Sequence, residues 1–270
     1  MKVGIFINTT KGEANKAANE FGRMLLKNNV ESKVVNLKED CKDIDVIAVF
    51  GGDGTILRVV DYALSFDIPI LAVNTGSLGF LTCVEKSDLK KAVDLIVYGG
   101  TIEKRSVMKV VSGGNKYYAL NEALIQRYIT GGSVNGVAKI SLEIGGKFVD
   151  NYVADGIIIS TPTGSTAYSL SAGGAIMTPD LNAFIVTPVC AHSLHNKPIV
   201  YGDGATSIIK VSENSYKCSL FIDGKFEKLL QPGDEVEISK SRKMIKFYAT
   251  ESTFFEKLLY KLNKWSDTDA

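Results

Sequence analysis

The stretch VIAVFGGDGTILRVV, Val46–Val60, changes character at its midpoint. Five apolar residues run to Phe50; Gly51, Gly52, Asp53, Gly54 and Thr55 follow, and a mixed apolar and polar run leads to Val60. An unbroken apolar run bounded by glycines reads as a strand buried on both faces, the pattern of a parallel sheet rather than of one wet on one side. The flanking sequence agrees. KVGIFIN reads as a strand, KGEANKAANEFGRMLLKNN as a helix with Ala17, Phe21, Met24 and Leu25 on one face, ESKVVNL as a second strand and DVIAVF as the third. ILRVVDYALSF then reads as a helix beginning near Thr55 or Ile56, PILAVN as a fourth strand, and KSDLKKAVDLIVYG as a helix capped by Ser87. Alternating β and α elements predict an N-terminal α/β, Rossmann-like domain with a parallel sheet over residues 1–99.

After GGTIEKRS the period changes. MKVVSGGNKYYALNEALIQRY, AKISLEIGGKFVDNYVADGIIIS, TSIIKVS, KCSLFIDGKFEKLL and DEVEISKSRKMIKFYAT are strand-like with tight turns. The GG between Ile144 and Lys147 and the DG between Ile222 and Lys225 are hairpin signals of the primed type. Residues 100–250 therefore read as an antiparallel β domain. The tail, 251–270, is helical again, with Phe255, Leu258, Leu259 and Leu262 along one stripe, and is expected to pack back on the first domain.

The bulk numbers narrow the function classes. The 270 residues carry a net charge of +1, with 45% hydrophobic and 23% charged content. That balance is a globular protein's and supplies no field for nucleic acid or an anionic membrane, so neither is expected as a partner. Cys41, Cys83, Cys190 and Cys218 are scattered with no CxxC pair, which predicts reduced thiols. His192 and His195 have no second pair of ligands nearby in sequence, so they read as structural rather than metal-binding. MKVGIFINTT reads as a strand rather than a secretory leader, and no apolar run approaches the ~20 residues of a membrane span, so a cytoplasmic protein is expected.

In open parallel sheets ligands bind at the carboxyl ends of strands, where helix N-termini aim donors at anions. Gly51, Gly52 and Gly54 are expected to let the backbone approach a phosphate and to adopt positive φ, with Thr55 completing the loop. GxxxxGK[ST] is absent, and Leu57 stands where a dinucleotide fingerprint needs its third glycine. Asp53 is the unusual member, because a carboxylate beside phosphates is repelled unless it has another task. It could hold a sugar hydroxyl, meet magnesium or take a proton; the bland alternative is an Asx turn or helix cap. LAVNTGSLGFL repeats the logic with Asn74, Thr75 and Gly76 after an apolar strand. In NYVADGIIISTPTGSTAYSLSAGG, the hydroxyls of Ser160, Thr161, Thr163, Ser165 and Thr166 precede a short helix from Ala167. Asn121 and Glu122 interrupt an apolar strand, and such buried polar groups need a ligand or an internal network.

GGDGT, NTGSLGFL, LNEALI, DGIIISTPTGSTAYSLSAGG and the later AHSL..KPIV, in this order from about Val46 to Val200, resemble the NAD kinase family. GGDGT alone is shared with lipid kinases; the long serine–threonine block is much more specific. The resemblance implies phosphoryl transfer from ATP or polyphosphate to the 2′-hydroxyl of the adenosine ribose of NAD, with Mg2+ arriving on the nucleotide. It also implies an N-terminal α/β domain, a C-terminal β-sandwich-like domain and a homodimer or homotetramer. By motif, Asp53 resembles the family's catalytic base, contacting NAD beside Gly54, with Arg58 toward the phosphates. Asn121 and Glu122 correspond to residues binding the adenosine portion, and Asp155 to one reaching the second end of NAD, often across a subunit interface. Thr163, Thr166, Ala167, Tyr168, Ser169, Leu170 and Ser171 are expected to line the NAD site, with Lys225 at a late binding position. Ala191, where proline is more usual, and Lys197, where arginine often stands, depart from the pattern outside its core motifs. The rival readings are a GGDGT-type lipid kinase and a non-catalytic dinucleotide-binding regulator. NTGSLGFL differs from the lipid kinases' loop, and an intact Asp53 argues against the regulator.

Overall fold

The computed structural model describes residues 1–7, 12–37, 43–76, 79–128, 136–193, 196–249 and 251–267, the last four of these by backbone alone. Cys41, Ser77 and His195 lie outside the described residues. The chain divides into two compact units, Met1–Lys104 with Ile245–Ala270, and Arg105–Met244.

The first unit opens with β1 (Lys2–Ile7), α1 (Gly12–Lys27), β2 (Glu31–Val34) and β3 (Val46–Gly51). It continues with α2 (Asp53–Leu57), α3 (Val60–Phe66), β4 (Ile70–Asn74), β5 (Val84–Glu85) and α4 (Leu89–Val97). β2, β1, β3 and β4 lie side by side in that order, all parallel, with β5 added to β4. Every residue of β3 and β4 is buried, as expected of parallel strands covered on both faces. Phe21 and Leu25 of α1 and Val93 and Ile96 of α4 pack with Ala48, Phe50, Leu71 and Val73 into one core.

Two local expectations need correction. The segment 56–66 is not one helix: α2 begins at Asp53, after Gly52 in extended conformation (φ −107°, ψ −172°), and ends before α3. The ladder tightens where Val59 N–H donates to Ile56 C=O, three residues back, and that tighter turn ends α2. The cap of α4 is Asp88, not Ser87. Lys86–Asp88 form a 3-10 turn, and the Asp88 carboxylate accepts from Lys91 N–H at 3.2 Å.

The second unit contains β6 (Ile102–Ser112), which starts in the first, β7 (Asn115–Ala119), β8 (Glu122–Arg127), β9 (Ala138–Ile144), β10 (Lys147–Ala154) and β11 (Gly156–Ser160). A 3-10 turn at Thr163–Thr166 leads to α5 (Tyr168–Ser171). β12 (Ala183–Val189), β13 (Ile199–Gly202), β14 (Ser207–Val211), β15 (Cys218–Ile222), β16 (Lys225–Leu230) and β17 (Glu235–Tyr248) follow. One sheet runs β13-β12-β11-β8-β15-β16, antiparallel throughout. Facing it, β10, β9, β14 and β17 pair antiparallel. Ile125, Ile157, Ile159, Phe184 and Leu220 from the first sheet meet Ile140, Leu142, Tyr152, Ile209 and Ile238 from the second in one core. Alternating burial along β9 and β14 contrasts with the continuous burial of β3 and β4. Both expected hairpins form. Gly145 and Gly146 have φ of 59° and 73°, and Asp223 and Gly224 have φ of 48° and 77°, the double left-handed geometry of a primed turn.

The chain returns to the first unit at the end of β17, where Phe247 pairs with Ile70, and closes with α6 (Phe254–Asp267). α6 joins the first unit as expected, but not by its apolar stripe. Phe255, Leu259 and Leu262 are exposed and Leu258 is only half-buried, whereas Lys257 is 5% exposed. Phe254 packs on Phe80, with ring centroids 6.0 Å apart. Among the described residues no helix is long and apolar enough to cross a membrane. Cys83, Cys190 and Cys218 are free thiols, and the His192 N–H donates to Val153 C=O.

Candidate functional site

In the first unit, β3 and β4 end side by side, with Gly51 in register with Asn74. Asp53, the first residue of α2, therefore sits at the carboxyl end of the sheet. Its Oδ2 accepts from Phe80 N–H at 2.9 Å and its Oδ1 from Leu81 N–H at 3.1 Å. Lys261 Nζ lies 3.7 Å from Oδ2, and 29% of the Asp53 side chain remains exposed. A carboxylate oxygen accepts two hydrogen bonds, so this anchoring leaves acceptor capacity toward solvent. The bland reading of Asp53 as a turn or N-cap residue does not describe it: it bonds a loop some 27 residues away, and the cap of α2 is Gly52. Gly79 is what lets that loop close in, because a Cβ there would lie 2.1 Å from Asp53 Oδ1.

The glycines around Asp53 work differently from the expectation. None of Gly51, Gly52 and Gly54 has positive φ. Gly52 and Gly54 face open space within 4 Å of where a Cβ would be, so their value is clearance rather than backbone strain. Gly51 is required by Thr55, whose Oγ1 would meet a Cβ at 2.3 Å. Asn74 is spent internally: its Nδ2 donates to Glu85 at 3.0 Å and Gly76 C=O at 3.1 Å, and its Oδ1 accepts from Gly76 N–H. It shapes the loop rather than offering a free donor. The buried Thr75 hydroxyl has no partner among the described residues, and Gly76 is exposed. Arg58 is exposed, its guanidinium 5.3 Å above the Phe6 ring.

In the second unit, the start of β8 and the end of β11 adjoin, with Glu122 in register with Ser160. Ser160 Oγ and Thr161 N–H donate to Asn121 C=O, and Thr161 Oγ1 donates to Leu120 C=O. From the other side Asp223, in the β15–β16 turn, accepts from the N–H groups of Leu120, Asn121 and Glu122 at 2.8–3.1 Å. Gly164 lies against the Asn121 carbonyl, which a Cβ would meet at 2.2 Å. Glu122 is 6% exposed and its Oε2 has no partner among the described residues. Burial, and then the Asp223 charge, push its carboxyl up to about 8. The Thr163 hydroxyl is also buried without a partner among the described residues. Thr166 donates back to Thr163 C=O, while Ala167, Tyr168, Leu170 and Ser171 are at least partly exposed. Ser169 is fully buried, its hydroxyl 2.8 Å from Thr187 Oγ1, so its side chain belongs to the core. Asp155 pairs with Arg127 at 3.1 Å, and the exposed Lys225 with Glu227 at 2.8 Å.

Residues 31–102 match the family described as ATP-NAD kinase N-terminal domain, and residues 120–250 match the ATP-NAD kinase C-terminal domain. The chain belongs to the NAD kinase family. The NAD kinase of Caldicellulosiruptor bescii is 36% identical over 262 residues, spanning 96% of this chain and 98% of its own length. That of Desulforamulus reducens is 32% identical over 286 residues, spanning 98% of each. A crystal structure of an NAD kinase from Archaeoglobus fulgidus in complex with ATP superposes with a TM-score of 0.80 at 25% identity, covering 97% of this chain and 99% of that one.

In this member of the NAD kinase family the residues that hold the motifs in place carry little local signal in the sequence. Asp223 shows in the sequence only as a hairpin residue and Lys257 and Lys261 only as positions of a tail helix, and Glu85 carries no local signal. No spacing rule marks Lys257 and Lys261 as inward-facing, because lysines opposite an apolar stripe ordinarily lie on the solvated face of a helix.

Proposed function

We propose that this protein transfers the terminal phosphoryl group of ATP, or of inorganic polyphosphate, to the 2′-hydroxyl of the adenosine ribose of NAD, making NADP. The observation that carries this reading is the setting of Asp53: a carboxylate fixed by two amide donors at the end of a parallel sheet, flanked by the bare clearance of Gly52 and Gly54. Asp53 takes the hydroxyl proton as the ribose oxygen attacks the terminal phosphorus, and the bond from that phosphorus to the leaving ADP, or to the shortened polyphosphate, breaks. A positioned base of this kind contributes ~10²–10⁴-fold. Alignment and charge neutralisation supply most of the remainder in phosphoryl transfer.

On the same reading, Asn121 and Glu122 bind the adenosine portion of NAD. Glu122, held neutral, can donate its carboxyl proton to a ribose or base acceptor. Thr163, whose buried hydroxyl has no partner among the described residues, and the backbone and exposed side chains from Thr166 to Ser171 line the NAD site, Asp155 reaches the second end of NAD across a subunit interface, and Lys225 supplies a late binding position. Gly51, Thr55, Thr75 and Gly76 shape the phosphate loop, with Arg58 toward the phosphates. Magnesium is carried in by the nucleotide rather than held in a cage of protein ligands. The metal neutralises charge on the donor phosphates. We further propose a cytoplasmic homodimer or homotetramer.

The test is incubation with NAD, magnesium and either ATP or polyphosphate, with NADP read by an NADP-specific dehydrogenase. NADP accumulating with at least one donor is expected; none with either donor rules the reading out.

A further inference from the structure

We propose that Lys257 is a positioning residue for Asp53, acting through the Phe80–Leu81 peptide group. The inference rests on the reading of Asp53 as the base. Lys257 is 5% exposed, and its ammonium donates to Phe80 C=O at 3.1 Å and to Thr82 C=O at 2.7 Å. The Phe80 carbonyl belongs to the same peptide group as the Leu81 N–H, which donates to Asp53 Oδ1. A continuous chain therefore runs from ammonium to carbonyl to amide to carboxylate. An ammonium on the carbonyl polarises that peptide and strengthens its N–H as a donor, and chains of hydrogen bonds reinforce one another in a low-dielectric setting. The adjacent Phe80 N–H holds the second carboxylate oxygen. Lys261, one helical turn along, sits 4.8 Å over the Phe80 ring and faces Oδ2.

A merely structural role for Lys257 explains less. Burying an ammonium costs more than burying an aliphatic side chain, so anchoring alone would favour leucine or methionine at this position. α6 has such residues, but Phe255, Leu259 and Leu262 point to solvent while the lysine points in. The inward charge meets the one loop whose amides hold Asp53.

Lys257→Met, Lys257→Arg, Asp53→Asn and the Asp53→Asn/Lys257→Met double variant test this, each checked for folding by circular dichroism. Lys257→Met should lower kcat by about 10- to 100-fold, as small misplacements of a reacting group do. KM for NAD and for ATP should stay within about twofold, and Lys257→Arg should recover part of the loss. If Lys257 works only through Asp53, adding Lys257→Met to Asp53→Asn should cost almost nothing further. Wild-type kcat in Lys257→Met beside an inactive Asp53→Asn overturns the inference alone, as does a fully additive double variant. A fully active Asp53→Asn overturns the reading of the base itself. Should Lys257→Met fail to fold, the Arg variant decides: retained charge with wild-type KM and partial kcat supports positioning, and unchanged kcat and KM with lowered thermal stability contradicts it.

Discussion

Glu122, the first residue of β8, and Asp53, the first residue of α2, are both carboxylates beside strand ends, but their surroundings differ in kind. Asp53 accepts two backbone N–H bonds and keeps a partly open face. Glu122 is shut away with an oxygen that has no partner among the described residues and the Asp223 carboxylate nearby, and burial foremost pushes it up to about 8. The sign of the consequence follows from linkage. Between the ordinary value of 4.5 and about 8, the folded protein keeps a proton that the unfolded chain releases. Stability contributed by this group is therefore complete below the lower value and is lost as pH rises through the upper one. Thermal unfolding at pH 6 and pH 8.5 should show a larger fall for the wild type than for Glu122→Gln. An equal fall in both would mean that Glu122 does not carry a buried proton.

At the scale of elements, the β15–β16 hairpin illustrates how a turn can hold a site. Asp223 has a left-handed φ of 48°, and its carboxylate gathers three consecutive N–H groups at the entry to β8. Asp223→Ala leaves those donors without their acceptor and places alanine at a positive φ, so it should cost at least about 2 kcal/mol of stability. Asp223→Asn keeps one carbonyl oxygen and a residue tolerant of that conformation, and should lose less. Urea unfolding of the three proteins gives the order wild type, Asn, Ala; any other order contradicts the account. The sequence announces the turn, because Asp-Gly between apolar runs has few other readings. It does not announce the carboxylate's target, about a hundred positions earlier in the chain. α6 makes the same point in reverse: its apolar stripe suggests an inward face, yet the inward anchors are Lys257 and Phe254.

Across the whole molecule, what could be read from the sequence was whatever local periodicity and composition control. The switch from unbroken apolar runs such as DVIAVF to alternating ones such as AKISLEI gives a parallel α/β unit followed by an antiparallel β unit, and the chain folds that way. Helix boundaries at Asp53 and Asp88 escaped because capping competes over one or two residues. The glycines of GGDGT were read for positive φ, and their use as clearance and close packing depends on Thr55 and on space that only the folded chain defines. Ser169, read as lining the NAD site, turns inward to Thr187, a partner that no spacing rule identifies. The central claim is that Asp53 is the proton acceptor for one ribose hydroxyl, and the rate of NADP formation by Asp53→Asn tests it most directly. With saturating NAD, magnesium and donor, kcat should fall by ~10²–10⁴-fold while calorimetry finds NAD binding within about threefold of wild type; an Asp53→Asn enzyme that makes NADP at the wild-type rate would contradict the account.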